Sequence, residues 1–228
     1  MTLNCFKDAE SVGYYLLELI GSISAVVSEK WGKFTMAIPG GKGGDLLLGA
    51  LLSGTVRPIH WDKIHLFWTD ERWVPCSDEH SNYGNALRKG LSELPLNLYP
   101  IPVGIDPDTD ALNYIRTVKD VLQSKDRLDL AIVGMGADGH VASVFEGYEP
   151  SVQEEKIFFR STHPETGQVR LGFTVDFLAK SEKVVLLVTG KQKYDKLQQV
   201  LQTKALAIPA ARLLKLSSNP IIITDFDV

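Results

Sequence analysis

The part of this chain best suited to moving a proton is an imidazole two residues from a carboxylate, Asp138 and His140, inside a run of glycines. Imidazole is the side chain that most readily takes up and returns a proton near neutrality, and a neighbouring carboxylate can hold its ring in place. The surrounding stretch, Leu128 to Gly147, reads LDLAIVGMGADGHVASVFEG. Its apolar start, broken only by Asp129, has the character of a strand buried on both faces of a parallel sheet. Gly134, Gly136 and Gly139 then let the chain turn sharply at the strand's carboxyl end, where backbone N–H groups are expected to face an anion. These glycines also satisfy G-x-G-x-x-G, but a dinucleotide turn needs a helix starting at its third glycine. The continuation HVASVFEGYEP leaves barely two turns before Gly147 and Pro150, which argues against it.

A second glycine cluster, Gly40, Gly41, Gly43 and Gly44 around Lys42, follows the apolar run Phe34 to Ile38 and precedes the helical repeat DLLLGALL. A glycine-rich turn entering a helix is a ready anion site. It is not a nucleotide P-loop, because Met36 stands where that motif needs its first glycine and no Ser or Thr follows the lysine. A third cluster, Asp70, Glu71 and Arg72, falls at the carboxyl end of the apolar segment Ile64 to Trp68, read as a charged loop. Further on, Gly190 turns the chain into a helix whose first turn holds Lys191 and Lys193. Cations there oppose the helix dipole, a local conflict that a bound anion would relieve. His60, His65 and His80 have no ligand spacing, with the first two assigned to one strand, and Asp225 and Asp227 read as a polar tail.

The elements that must position these groups alternate. Val12, Tyr15, Leu16, Leu19, Ile20, Ile23, Val26 and Val27 predict an amphipathic helix over residues 8–30, and Ala111 to Leu122 predicts another. Ser81 or Asn82 is expected to cap a helix over NALRKGL. Strands are predicted at 34–38, 64–68, 128–133, 156–160 and 183–188, with a short one within 98–103 and a last one in PIIITDFDV; IPAARLL is expected to form a short turn. Strand and helix alternation with crossover-length connections predicts a mainly parallel sheet covered by helices on both faces, a single α/β domain over residues 1–228. Ligands of such sheets bind outside the strands' carboxyl ends, where every cluster above falls.

Composition narrows the function. The 228 residues are 44% hydrophobic and 23% charged with net charge −4, and no basic run is present, so a nucleic-acid partner is not expected. Two distant cysteines, Cys5 and Cys76, fit neither a disulfide framework nor a zinc cluster and read as free thiols in a reducing compartment. YYLLELI is short and carries Glu18, and no run reaches the roughly 20 apolar residues of a membrane span. A cytoplasmic protein with no membrane partner, a monomer or weak homodimer, is expected.

The string GMGADGHVASVF resembles the signature of the 6-phosphogluconolactonases, within the wider family that also contains the glucosamine-6-phosphate deaminases. TDERWVP is similar to that family's second motif, in which Arg72 stands where deaminases typically carry an aromatic residue. Gly40 and Gly41 match its Gly-Gly-Ser-Thr-Pro turn, whereas Lys42, Gly43 and Gly44 depart from it, removing two hydroxyls and a proline. Ser81 and Asn82, Arg170 and Lys193 match in order. The resemblance implies a modified Rossmann-like fold, a sugar-phosphate substrate, hydrolysis of 6-phosphoglucono-δ-lactone, and no metal or other cofactor. For that reaction the expected mechanism has His140 as general base, Asp138 as its orienting partner, and Arg72 with the backbone N–H groups of the Gly40 turn at the oxyanion. Gly40, Gly41, Lys42, Asp70, Arg170 and Lys193 would then bind the substrate and its phosphate. Two alternatives are carried forward. Deaminases read Asp-Gly-His-x-Ala-Phe-Asn-Glu-Pro with a catalytic glutamate, where this chain has Phe145; and the altered 40–44 turn leaves room for a sugar-phosphate-binding protein without activity.

Overall fold

The computed structural model describes residues 1–54, 59–147, 157–203 and 206–228. In chain order the elements are β1 (Thr2–Cys5), α1 (Ala9–Trp31), β2 (Phe34–Ile38), α2 (Gly41–Leu52), β3 (Ile64–Trp68), β4 (Asp70–Arg72), α3 (Asn82–Arg88), β5 (Asn97–Tyr99) and α4 (Pro107–Leu122). They continue with β6 (Leu130–Gly134), β7 (Phe158–Thr162), β8 (Val169–Phe173), α5 (Val175–Ala179), β9 (Lys183–Val188), α6 (Tyr194–Gln202), α7 (Pro209–Leu216) and β10 (Ile221–Thr224).

Seven strands form one sheet in the order β1-β10-β9-β6-β2-β3-β5, and every adjacent pair is parallel. The apolar runs that predicted β2 and β9 are buried almost end to end, as strands covered on both faces require. From β2 the chain proceeds outward through β3 to β5, whereas from β6 it proceeds the other way through β9 to β10. The adjacent strands β2 and β6 therefore bracket the point where strand order reverses, and a crevice opens there at the carboxyl ends. Asp129, the lone charge in its apolar run, pins the opposite end of this pair. It accepts from the Thr35 N–H and hydroxyl at 2.8 Å each and from Lys125 Nζ at 2.7 Å, all partly or fully buried. Hydrogen bonds to a buried carboxylate contribute about 1.5–3 kcal/mol each, enough to fix one register against slippage.

Helices begin where side chains satisfy free N–H groups. Asp8 caps α1 through Ser11 N, Asp106 caps α4 ahead of Pro107, and Thr174 caps α5. Of the two candidates for α3, Ser81 is the cap, its hydroxyl accepting from Gly84 N at 3.0 Å. By length and composition α1, at 23 residues, is apolar enough to cross a membrane, which corrects the expectation that no segment comes near that limit. Here its stripe of Val12, Leu16, Leu17 and Ile20 is buried in the core, while Tyr14 and Val26 on the other side are exposed.

Five expectations are corrected. Asp70–Arg72 is a strand rather than a loop: β4 pairs antiparallel with β8, and β8 with β7, in a second, three-stranded sheet. The strand expected at 156–160 spans 158–162, with Lys156 outside the described residues. IPAARLL is mostly helix α7, and β1 adds an unforeseen edge strand. His60 precedes a 3-10 turn, so only His65 is on a strand. The strand within 98–103 is also shorter and earlier, Asn97–Tyr99.

Candidate active site

Glycine is needed after β6 for space. A Cβ on Gly136 would stand 2.1 Å from His140 Nδ1 and 2.6 Å from Asp138 Oδ1, so any side chain there would expel the imidazole. The turn closes through Gly136 N–H to His140 O at 2.9 Å and Gly139 N–H to Gly136 O at 3.2 Å, with Gly139 at φ 90°. Those two N–H groups are thus bonded within the turn, contrary to the expectation that they face an anion. No helix follows Gly139, as the sequence implied. What the turn presents is side-chain chemistry: His140 Nδ1 lies 2.6 Å from Asp138 Oδ1, with side-chain exposures of 27% and 56%. The hydrogen bond to His140 holds the Asp138 carboxyl at about 2, against a smaller opposing effect of burial. Asp138 is therefore the acceptor and Nδ1 carries the shared hydrogen, which in the neutral ring leaves the lone pair on Nε2.

The turn after β2 works through backbone. Gly40 is the N-cap of α2 with no side-chain capping bond, and the first turn of the helix holds no acid. The first intrahelical bond runs from Gly44 N to Gly40 O at 3.2 Å, so the N–H groups of residues 41–43 have no acceptor within the helix. They add to the positive end of the helix dipole, roughly half an elementary charge. Lys42 sits among them. A Cβ on Gly40 would collide with Asn82 Oδ1 at 2.0 Å, so this glycine is what allows Asn82 to close the crevice.

The small sheet delivers the arginines. Arg72 and Arg170 are direct partners in the β4–β8 register, a pairing of like charges that costs stability in an antiparallel ribbon. Arg72 donates to His80 O at 2.6 Å, and Arg170 NH2 to Gln168 at 3.3 Å, yet the Nε of each is buried without a protein partner. Burial lowers the Arg170 pKa; nearby Asp70 opposes this and Arg72 adds to it. Such a pair is matched by an anion that accepts from both guanidinium groups. Behind it, buried Glu71 accepts from the N–H groups of Arg72, Asn82 and Tyr83 at 2.7–2.8 Å and from the Ser81 hydroxyl at 3.1 Å. Burial raises the Glu71 pKa and the three N–H donors pull it back. This carboxylate ties β4 to the start of α3 and so sets both Arg72 and Asn82.

Lys193 comes from the turn after β9 and donates to Met135 O at 2.5 Å. Burial, then the charge of Lys42, lowers its pKa, while Asp225 and Asp138 act the other way. Asp225, read from sequence as a polar tail, thus reaches the site's margin, where it accepts from Gly190 N at 2.7 Å. A cavity of about 200 Å³ joins these parts. Gly40, Gly41, Lys42, Asp70, Arg72, His140, Arg170 and Lys193 all line it; Asp138 does not, standing behind the imidazole. Asn82, Thr69 and Ser143 line it as well, without having been singled out for that. Ser143 hydrogen-bonds Asp70 Oδ2, and Asn82 Nδ2 donates to Asp70 O at 2.8 Å. Of these only the Ser-Asn dipeptide was visible beforehand, as a cap and as a match to the family's Ser-Asn, with a site role compatible with capping. Among the described residues, no three His, Cys, Asp or Glu side chains converge as metal ligands.

An α/β sheet whose switch point gathers an aspartate-backed imidazole and four cations has the chemistry to take a small anion and to pass a proton beside it. The chain belongs to the family of glucosamine-6-phosphate isomerases and 6-phosphogluconolactonases, which matches it over residues 7–222. It is 30% identical over 184 residues to the 6-phosphogluconolactonase of Haemophilus influenzae, covering 78% of each chain. It is 28% identical over 217 residues to that of Treponema pallidum, covering 92% of this chain and 88% of that one. The fold aligns with the crystal structure of the 6-phosphogluconolactonase from Thermotoga maritima at a TM-score of 0.78 and 23% identity, over 98% of both chains. The Rossmann-like, mainly parallel architecture expected from the sequence is that of this family.

Proposed function

We propose that this protein hydrolyses 6-phosphoglucono-δ-lactone to 6-phosphogluconate, the second step of the pentose phosphate pathway. The observation that carries the reading is that His140, held through Nδ1 by Asp138, opens onto the same cavity as Arg72, Arg170, Lys42 and Lys193. In this mechanism His140 Nε2 takes a proton from water as the water oxygen bonds to the lactone carbonyl carbon. The carbonyl electrons move to oxygen, and Arg72 with the free N–H groups at the start of α2 stabilises that oxyanion. Collapse breaks the bond from the carbonyl carbon to the ring oxygen, which takes the proton back from the imidazolium, leaving a carboxylic acid that ionises. Arg170 and Lys193, joined by Lys42, hold the phosphate. Asp138 keeps the ring in one tautomer and favours the imidazolium as it forms.

Phe145 weighs against deaminase chemistry. It is buried, with its ring centroid 4.9 Å from that of His140 and 5.0 Å from that of His163. An apolar wall therefore lies against the imidazole at the position where the deaminase motif has its glutamate. The test is a rate comparison on freshly prepared 6-phosphogluconolactone and on glucosamine 6-phosphate. Accelerated lactone opening with no ammonia release is expected. Ammonia release would point to the deaminase branch, and binding of 6-phosphogluconate without faster hydrolysis to a binding protein.

A further inference from the structure

Immediately after His140 the chain makes a two-residue turn. Val144 N donates to Val141 O at 2.8 Å and Val141 N to Val144 O at 3.3 Å, with Ala142 and Ser143 between them at φ 48° and 60°. Two successive left-handed residues are the turn for which Asn-Gly is the ordinary sequence, because side chains crowd the backbone there. This chain places an alanine and a serine in it. Backbone strain kept at a site is informative when a side chain at the strained position is in use. Ser143 is 1% exposed, and its hydroxyl donates to Asp70 Oδ2 while Arg170 NH1 approaches the serine Oγ itself at 3.5 Å. Thr69 Oγ1 holds the other carboxylate oxygen at 3.2 Å. Asp70 Oδ2 consequently stands 4.0 Å from Arg170 NH1, near enough to favour the charge but too far for a direct hydrogen bond.

We propose that Ser143 is a positioning residue whose hydroxyl keeps Asp70 from closing on Arg170, so that the guanidinium stays available to the ligand's phosphate. This inference rests on the lactonase reading and deepens it. Without the hydroxyl, Asp70 is free to turn and pair with Arg170 directly, and the carboxylate then competes with the incoming anion. The strain follows from the same requirement: glycine would relax the turn but could carry no hydroxyl.

Two variants of the full chain separate the hydroxyl from the turn. Ser143→Ala keeps the strain and removes the hydroxyl; Ser143→Gly removes both. Both are expected to raise KM for the lactone about fivefold or more, the loss of one hydrogen bond to a charged group, with kcat within about threefold of wild type. Ser143→Gly is expected to melt no lower than Ser143→Ala. Unchanged KM in both variants overturns the proposal, and so does wild-type KM in Ser143→Gly alone, which would assign the role to the turn's backbone. If the wild-type protein fails to hydrolyse the lactone, it is the functional reading that falls. Titration with inorganic phosphate then decides Ser143 by itself: weaker binding in both variants supports it, and equal affinity overturns it.

Discussion

Two glycine turns meet at the switch point of the sheet and do opposite work. After β2, the turn opens a helix whose first backbone N–H groups have no acceptor within α2, and the useful charge is that of the helix end with Lys42. After β6, the N–H groups of Gly136 and Gly139 are bonded within the turn, and glycine makes room for a ring and a carboxylate. One turn is an electrostatic cradle and the other a mount for a proton carrier. The same residue type thus says little about function until it is known whether the backbone or the vacated Cβ volume is being used.

The contrast can be broken at its glycines. Gly136→Ala should lower kcat on the order of 10²-fold, because displacing a catalytic ring by about an ångström has that cost, and KM should change little. A KM defect instead would place this turn in binding. Asp138→Asn should lower kcat next most, on the order of 10-fold, with wrong-tautomer imidazole as the cause. Asp138 is held at about 2, below the roughly 3.9 of an unfolded chain, so the stability it adds is complete above about pH 4. That stability is lost progressively as pH falls from about 4 through 2, so an acid limb of wild-type activity between pH 4 and 7 is not its protonation. Gly40→Ala should act mainly on KM, roughly 10-fold, by displacing Asn82 and the helix start; steady-state kinetics of the pair Gly136→Ala and Gly40→Ala is the check.

The cations allow finer tests. Because burial and Lys42 lower the Lys193 pKa, its charge is lost as pH rises at a pH below that of an ordinary lysine. Affinity for 6-phosphogluconate, measured by titration from pH 7 to 10, should weaken over that range in the wild type. It should hold in Lys193→Arg, since arginine stays protonated. The smallest effect is expected from Lys42→Ser, which restores a family residue: KM within about threefold, a shallower salt dependence, and the alkaline weakening moved to higher pH. A large loss would mean that Lys42 had taken over a role beyond general charge.

Much of this was legible in the sequence because the central strands are continuous apolar runs and α1 has an uninterrupted three-and-four spacing. In the small sheet, β4 was not. Three charged residues, Asp70–Arg72, have no periodicity, and their strand character comes from pairing with residues a hundred positions away. Nor could spacing reveal α7, whose eight residues are held by burial of Ala210, Leu213 and Leu214. At the site, the residues with charge or an imidazole were readable, since few other roles suit them at the edge of a sheet. Ser143 was not, because a serine hydroxyl is common and its left-handed backbone has no glycine or asparagine to announce it. Glu71 was visible as a charge but not as the buried hub of β4 and α3, which depends on folding that brings four donors around it.

The most direct measurement is the kcat of His140→Ala on fresh 6-phosphogluconolactone, corrected for spontaneous opening, alongside its affinity for 6-phosphogluconate. A fall on the order of 10²-fold or more in kcat with affinity within about threefold of wild type is expected. Near-normal turnover would contradict the assignment of proton transfer to this imidazole.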